Sequence, residues 1–389
     1  MLMVTGPRAA GKTTTARQFA QTVVRLDEPG QAAAFRADPD AALRALPEPV
    51  LLDEWQEVPE VLGAVRRAVD ADGRAGRFIL TGSVRADLKD HVWPGTGRLV
   101  RLQMFGLTMR EQQQQLAGET FLARLSKASI STFKLPPTVP DLREYVELAL
   151  RGGFPEPVVT GFSQPVLRRW LVSYLEQLLT HDVPGLVRDP ARLRRFFDVM
   201  ALSSAGVPTD EAVREAAGVD YRTAERYASL LSAVFVLDDV PAYASNRLQR
   251  LVKLPKRYIV DAALIGASND IDGSAVMKDG DLIGRILDTF VMSQLRPELE
   301  LEAPPPRLYH LRDRNGRREV DIVGEHAGAL VGIEVKATAA PSKDDAKHLI
   351  YLRDELGATF LAGAVLHTGP GLFELSPRIF ALPICSIWG

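Results

Sequence analysis

Residues 1–110 alternate short apolar runs with amphipathic stretches. The runs Met1–Val4, Val23–Leu26, Val50–Leu52, Phe78–Leu80 and Leu99–Leu102 lack the strict polar alternation of a half-exposed strand, and they predict strands covered on both faces. Between them, residues 12–22, 39–46 and 59–70 carry helical spacing, with Ala42, Leu43 and Leu46 in the second and Val61, Leu62, Val65 and Val69 in the third. Strands alternating with helices predict a doubly wound parallel α/β sheet. From 113 to 140 the pattern dissolves into polar residues and the proline-containing LPPTVPDL, which reads as a linker or insertion. Helical periodicity returns over 141–245, where DLREYVELALRGG opens on an Asp cap and closes on Gly152-Gly153. Beyond 246 short strands and helices mix again. The expected division is therefore 1–112, 113–140, 141–245 and 246–389, the last an α/β terminal domain.

Length and composition change little in that picture. A chain of 389 residues suits two or three domains, and 25% charged with 46% apolar residues exclude a disordered or coiled-coil chain. Forty-seven Lys and Arg against 49 Asp and Glu leave a formal charge of −2, so any nucleic-acid contact has to come from a local patch. The single cysteine, Cys385, excludes an internal disulfide and fits a reducing compartment. The six histidines have no metal-ligand spacing. No apolar run is long enough to span a bilayer, and a motif beginning at Gly6 leaves no room for a signal peptide. A soluble, cytoplasmic protein without a membrane partner is the expectation.

The motif is Gly6-Pro7-Arg8-Ala9-Ala10-Gly11-Lys12-Thr13, which fulfils G-x-x-x-x-G-K-[ST] between an apolar strand and an amphipathic helix. Its glycines let backbone N–H groups turn around phosphate oxygens, Lys12 neutralises β/γ charge, Thr13 offers a hydroxyl to Mg²⁺, and Thr14 adds a phosphate contact. Downstream, Val50–Leu52 ends in Asp53-Glu54: Asp53 is placed to hold magnesium through water, and Glu54 to act as general base on an attacking water. The next strand ends in Thr81-Gly82-Ser83, where Thr81 or Ser83 could orient that water or simply form a turn. Arg98 is a candidate charge stabiliser, in cis or across a subunit interface, with a surface arginine as the alternative.

Together GPRAAGKTT, LLDEWQEVP, FILTGS, Gly97-Arg98, RGGFPEPV and PKRYIVDAAL resemble the prokaryotic AAA-type ATPases that carry a C-terminal domain of unknown function. The resemblance implies an ATP-binding AAA+ core in which Gln56 and Pro59 follow the acidic pair, a C-terminal portion related in fold to restriction-type nucleases, and a homo-oligomer in which an arginine is shared between neighbours. Relatives usually have a short segment before the first strand, whereas Met1 opens it here.

Residues 209–231 read as helix, tight turn at Gly218 and second helix capped by Asp220, with Arg222 and Arg226 one turn apart. That is winged-helix-like spacing, suited either to DNA or to packing; Asp220 and Glu225 weaken a positive field. Arg247, Arg250, Lys253, Lys256 and Arg257 form a stretch without an acid, read as a solvated edge or a phosphate contact. Glu319–Val323 and Val331–Lys336 read as a β-hairpin in which Glu334 and Lys336 share a face, Asp321 stands alongside and Asp288 lies on a preceding helix. Such a pocket suits Mg²⁺ with Lys336 near an attacking water. The set Asp321, Glu334 and Lys336 resembles the restriction-type nuclease motif, departing from it at Val320, where proline is frequent, and at Asp288, where glutamate is common.

Three functions follow as expectations. The first is a Mg²⁺-dependent ATPase whose cycle moves C-terminal domains that contact DNA or RNA. The second is an ATP-gated metal-dependent nuclease, and the third a nucleotide-responsive regulatory protein with little turnover.

Overall fold

The computed structural model describes residues 1–83, 97–180, 189–244, 254–313 and 318–389. They form two compact units, Met1–Gly106 with Ser229–Val236, and Leu107–Ala228 with Leu237–Gly389. No helix among the described residues is long and apolar enough to cross a membrane.

In the first unit, β1 (Leu2–Thr5), β2 (Thr22–Arg25), β3 (Val50–Asp53), β4 (Phe78–Gly82) and β5 (Val100–Gln103) pair in parallel in the order β2-β3-β4-β1-β5. The apolar runs set this arrangement. Val50, Leu52, Phe78 and Leu80 point into one core, whereas Leu51 and Ile79 point into the other, so β3 and β4 are buried on both faces. Helices α2 (Pro29–Ala37), α3 (Pro39–Arg44) and α4 (Val61–Ala71) supply Phe35, Leu43, Leu62 and Val65 to the first core, and α1 (Lys12–Arg17) supplies Ala16 to the second. Helix α1 is shorter than the expected 12–22, because its chain must reach β2 at Thr22. Helix α2 is not visible as periodicity: it buries only Ala32 and Phe35.

The second unit begins with α5 (Met109–Gln112), α6 (Phe121–Ser126) and α7 (Leu142–Arg151), the last opened by the reciprocal Asp141–Glu144 capping box. Helices α8 (Pro155–Thr160), α9 (Gln164–Thr180), α10 (Pro190–Leu202), α11 (Asp210–Ala217) and α12 (Tyr221–Ala233) follow, the last counted with the second unit as far as Ala228 and with the first from Ser229. Between α11 and α12, Gly218 takes the expected left-handed turn and Asp220 accepts from the Thr223 N–H at 3.0 Å. Strands β6 (Leu237–Val240) and β7 (Lys256–Ile259) form a small antiparallel sheet. After α13 (Ala262–Ser268), α14 (Gly273–Val276) and the long α15 (Gly280–Leu299) comes a mixed sheet of β8 (Arg307–Arg312), β9 (Glu319–His326), β10 (Ala329–Lys336), β11 (Phe360–His367), β12 (Phe373–Ser376) and β13 (Ile379–Pro383). Its order is β12-β13-β11-β10-β9-β8, with α16 (Lys347–Leu356) making the crossover between the parallel strands β10 and β11. The hairpin expected over 319–336 is β9–β10, turning at Ala327 and Gly328 with positive φ.

The 113–140 stretch differs from the spacer its composition suggests. Phe121, Leu122 and Leu125 are buried, and the Phe121 N–H donates to Glu298 Oε2 at 2.6 Å. Arg124, itself buried, donates to the Ile387 carbonyl at 2.7 Å and the Gly389 carbonyl at 3.1 Å. Polar sequence surrounds a single amphipathic turn and a half, which belongs to the second unit.

A spacer would tolerate truncation. Phe121→Ala is instead expected to destabilise the second unit by about 3–5 kcal/mol, the cost of an aromatic-sized cavity. Chemical denaturation of the full chain checks this, and a change below about 1 kcal/mol would restore the linker reading.

Candidate functional site

Because β1, β3 and β4 run parallel, their C-terminal ends meet at one edge of the sheet, with β4 between the other two. The loop 6–11 leaves β1 there. Gly6 has φ +148° and lies so close to the β5 exit that an added Cβ would sit 2.1 Å from the Met104 carbonyl oxygen. Ala9 and Gly11 also take positive φ, curling the backbone into a cradle.

Lys12 is buried and its ammonium donates to the loop's own carbonyls, Gly6 at 3.0 Å and Pro7 at 2.8 Å. Burial lowers its pKa to about 8, against the opposing pull of Glu54 and Asp53. Thr13 Oγ1 donates to Asp53 Oδ1 at 2.8 Å, and the buried Thr81 hydroxyl donates to the same oxygen. Thr81 therefore acts through Asp53. Glu54, the first residue past β3, has φ +51°, and its carboxylate accepts from Gln56 Nε2. Gly82 is constrained by the same cluster: a Cβ there would meet Gln56 Oε1 at 2.7 Å and Trp55 Nε1 at 2.9 Å. Thr14 is exposed on α1, and Ser83 follows β4 on the same edge.

Arg98 does not join this group. It precedes β5, whose Val100 pairs with Leu2 at the start of β1, so it lies at the opposite edge of the sheet from the loop. Its guanidinium pairs with Asp70 on α4, and its carbonyl accepts from the Met1 amine at 3.0 Å. The parallel direction of β1 and β5 thus removes the expected role in cis.

In the second unit, Asp288, Asp321, Glu334 and Lys336 do converge, but around a residue not expected there. Lys256, 1% exposed, places its ammonium 2.5 Å from Asp288 Oδ2 and 2.9 Å from Asp321 Oδ1. The basic-edge reading of Lys256 is wrong because β7 carries it inward. Arg257 is also paired, with Asp210 at 3.0 Å and Asp239 at 3.6 Å; Arg247, Arg250 and Lys253 lie outside the described residues. Tyr258 donates to Asp288 Oδ1 at 3.1 Å, the Val335 N–H to Asp321 Oδ2 at 3.0 Å and Lys336 to Glu334 Oε2 at 2.9 Å. Burial pushes Asp288 up to about 6 even with Lys256 beside it, while for Asp321 the lysine and the Val335 N–H outweigh burial and hold it below the usual range. His348 adds Nδ1 at 3.8 Å from Glu334 Oε1 and 2.7 Å from the Glu319 carbonyl. Lys256 stands in PKRYIVDAAL and in the acid-free stretch, but nothing there linked it to these carboxylates, and His348 has no local motif.

Residues 1–113 match the model of an AAA domain, residues 142–275 a domain of unknown function (DUF8612) and residues 283–387 a second domain of unknown function (DUF4143). The uncharacterized proteins Rv2008c of Mycobacterium tuberculosis and Mb2031c of Mycobacterium bovis are each 28% identical over 389 residues, covering 98% of this chain and 80% of their own. Among solved structures, a Thermotoga maritima RuvB variant aligns at 18% identity over 62% of this chain and 82% of its own, with a TM-score of 0.27. Protein VC1899 from Vibrio cholerae aligns at 12% identity over 95% and 89%, with a TM-score of 0.19. At such scores neither carries an argument about the fold. The AAA match and the loop geometry together make the first unit an AAA-type, ATP-binding P-loop domain.

Glu334 supplies a pH test. Burial and the neighbouring Asp321 push its pKa from 4.5 up to about 7, against His348 and Lys336. Between those values the folded chain holds a proton that the unfolded chain has released, so the group's contribution to stability falls as pH rises. His348, raised above 6.5 chiefly by Glu334, acts in the same direction, because its charged pairing is lost at higher pH. Relative to Glu334→Gln, the wild type should lose roughly 3 kcal/mol between about pH 4.5 and pH 7, read by urea unfolding at both. Parallel pH profiles would refute the assignment.

Proposed function

We propose that this chain is a Mg²⁺-dependent ATPase whose first unit turns over ATP at the loop Gly6–Thr13. The observation that carries this reading is the convergence of Lys12, Thr13, Asp53, Glu54 and Thr81 at the strand edge where the loop emerges. A buried ammonium held only by neutral carbonyls is poised to exchange them for a polyphosphate's β/γ-oxygens. The donor set of one hydroxyl and one carboxylate is hard oxygen and fits magnesium, with Thr13 and Asp53 as the residues that would hold it. Magnesium, when bound, neutralises charge across the β- and γ-oxygens. Glu54, oriented by Gln56, takes the proton of the attacking water; Thr81 fixes Asp53; and Ser83 continues the same edge toward the γ-phosphate.

The proposal extends to the second unit. Helices α11 and α12 with β6 and β7 support a winged-helix-like module. Arg222 and Arg226 are exposed on one face of α12 and offer phosphate contacts to DNA. Arg222→Ala with Arg226→Ala is expected to weaken retention of double-stranded DNA about tenfold or more, with ATP turnover unchanged. Equal retention would remove nucleic acid from the proposal.

Phosphate release tests the first unit. Lys12→Ala should abolish nucleotide binding with folding intact, and Glu54→Gln should bind ATP while losing about 100-fold or more in turnover. Turnover equal to wild type in both would sink the ATPase reading. The lowered Lys12 pKa gives an independent check, since an approaching triphosphate restores the charged form. Near pH 8, ATP binding should take up about half a proton at Lys12, falling toward none at pH 6.5. Calorimetry in buffers of different ionisation enthalpy reads this uptake, which Lys12→Ala should remove.

A further inference from the structure

The cleft that holds Asp288, Asp321 and Lys336 has a volume of about 470 Å³ and is also lined by Arg285, Arg312 and Glu319. Its resemblance to a nuclease pocket raises the question of whether a divalent ion fits. Such an ion needs free carboxylate oxygens converging at about 2.0–2.6 Å. Here Asp288 Oδ1 and Oδ2 accept from Tyr258 and Lys256, Asp321 Oδ1 and Oδ2 from Lys256 and Val335, and Glu334 Oε2 from Lys336. Of the six oxygens of these three carboxylates, only Glu334 Oε1 is without a hydrogen bond. No group of three or more His, Cys, Asp and Glu among the described residues is arranged to hold a metal. The residues present do not fit a divalent metal.

We infer that the Lys256 ammonium is the resident cation of this cleft, standing where a divalent ion would bridge Asp288 and Asp321, so that this cleft neither binds Mg²⁺ or Mn²⁺ nor performs metal-dependent phosphodiester cleavage. The charge logic is direct. Two facing carboxylates out of water repel and must be neutralised by a proton, a metal or an organic cation. Lys256 meets that need from within the chain, at distances suited to charge-assisted hydrogen bonds. To enter, a metal would have to expel a lysine that is 1% exposed and leave its charge buried beside the new one. The ammonium also joins three separate elements, β7, α15 and β9, which a freely exchanging ion would do only when bound.

The test is Mn²⁺ binding to the nucleotide-free full chain, counted by paramagnetic resonance, in wild type, Asp288→Asn, Lys256→Met and the double variant. Any ion held by Thr13 and Asp53 is common to all four and cancels. Wild type and Asp288→Asn should bind equal Mn²⁺, whereas Lys256→Met should gain about one ion per chain that the double variant loses. Wild type binding an ion that Asp288→Asn loses would overturn the inference, as would a folded Lys256→Met that gains none. Should Lys256→Met fail to fold, the first comparison decides alone. As a second readout, DNA incubated with wild type and Mn²⁺ should stay intact, and cleavage abolished by Asp321→Asn would count against the proposal.

Discussion

The nucleotide site rests on one constraint: three apolar strands of the first unit lie interior to a sheet covered on both faces, and the helical crossovers that cover them also make them parallel. Parallel strands end at a common edge, and the chain therefore delivers its loop, its acidic pair and its Thr81 to one place without any of them having to attract the others. Polar chemistry is assembled by apolar burial. Val50, Leu51 and Leu52 are wholly buried so that Asp53, the next residue, can stand at the rim with its carboxylate held by two threonines. The same constraint excludes Arg98, which enters β5 from the other end.

The second unit solves a different problem. Its carboxylates at 288 and 334 are buried and that at 321 is half-buried, and each would be costly alone. Lys256 and Lys336 distribute two positive charges among them, yet burial, helped by repulsion from Asp321, still raises the pKa of Asp288 and of Glu334. A carboxyl near 7 in a cleft is a common signature of catalysis, yet structural ion networks produce it as well. Here geometry favours the network, because the oxygens of Asp288 and Asp321 point at protein donors.

Much of the first unit was legible in the sequence because its signals are local: a strand is a run of apolar residues, and the loop motif is contiguous. All five strands of its sheet lie within two residues of the apolar runs. The hairpin β9–β10 and the cap at Asp141 were legible for the same reason. What escaped depends on distance along the chain. Lys256 meets partners 32 and 65 residues away, and within its own acid-free stretch it resembles any surface lysine. Helix α6 escaped because six residues in polar surroundings give too little periodicity, although Phe121 and Leu125 are fully buried. Arg98 was misplaced because adjacency to Gly97 says nothing about which edge of a sheet the residue occupies.

The two buried lysines separate a site that awaits a ligand from one that is complete. Lys12 and Lys256 are both desolvated, and desolvation alone lowers the pKa of each. For Lys12 burial prevails, since its hydrogen bonds go to neutral carbonyls and the carboxylates of Glu54 and Asp53 act only through space. For Lys256 the combined pull of Asp288 and Asp321 overcomes burial, and its pKa rises well above the ordinary lysine value. A lysine buried against dipoles is under-neutralised and gains from an arriving anion. One clasped by two carboxylates has nothing to gain from an arriving anion. Electrostatics thus direct nucleotide to the first unit and leave Lys256 a structural role in the second.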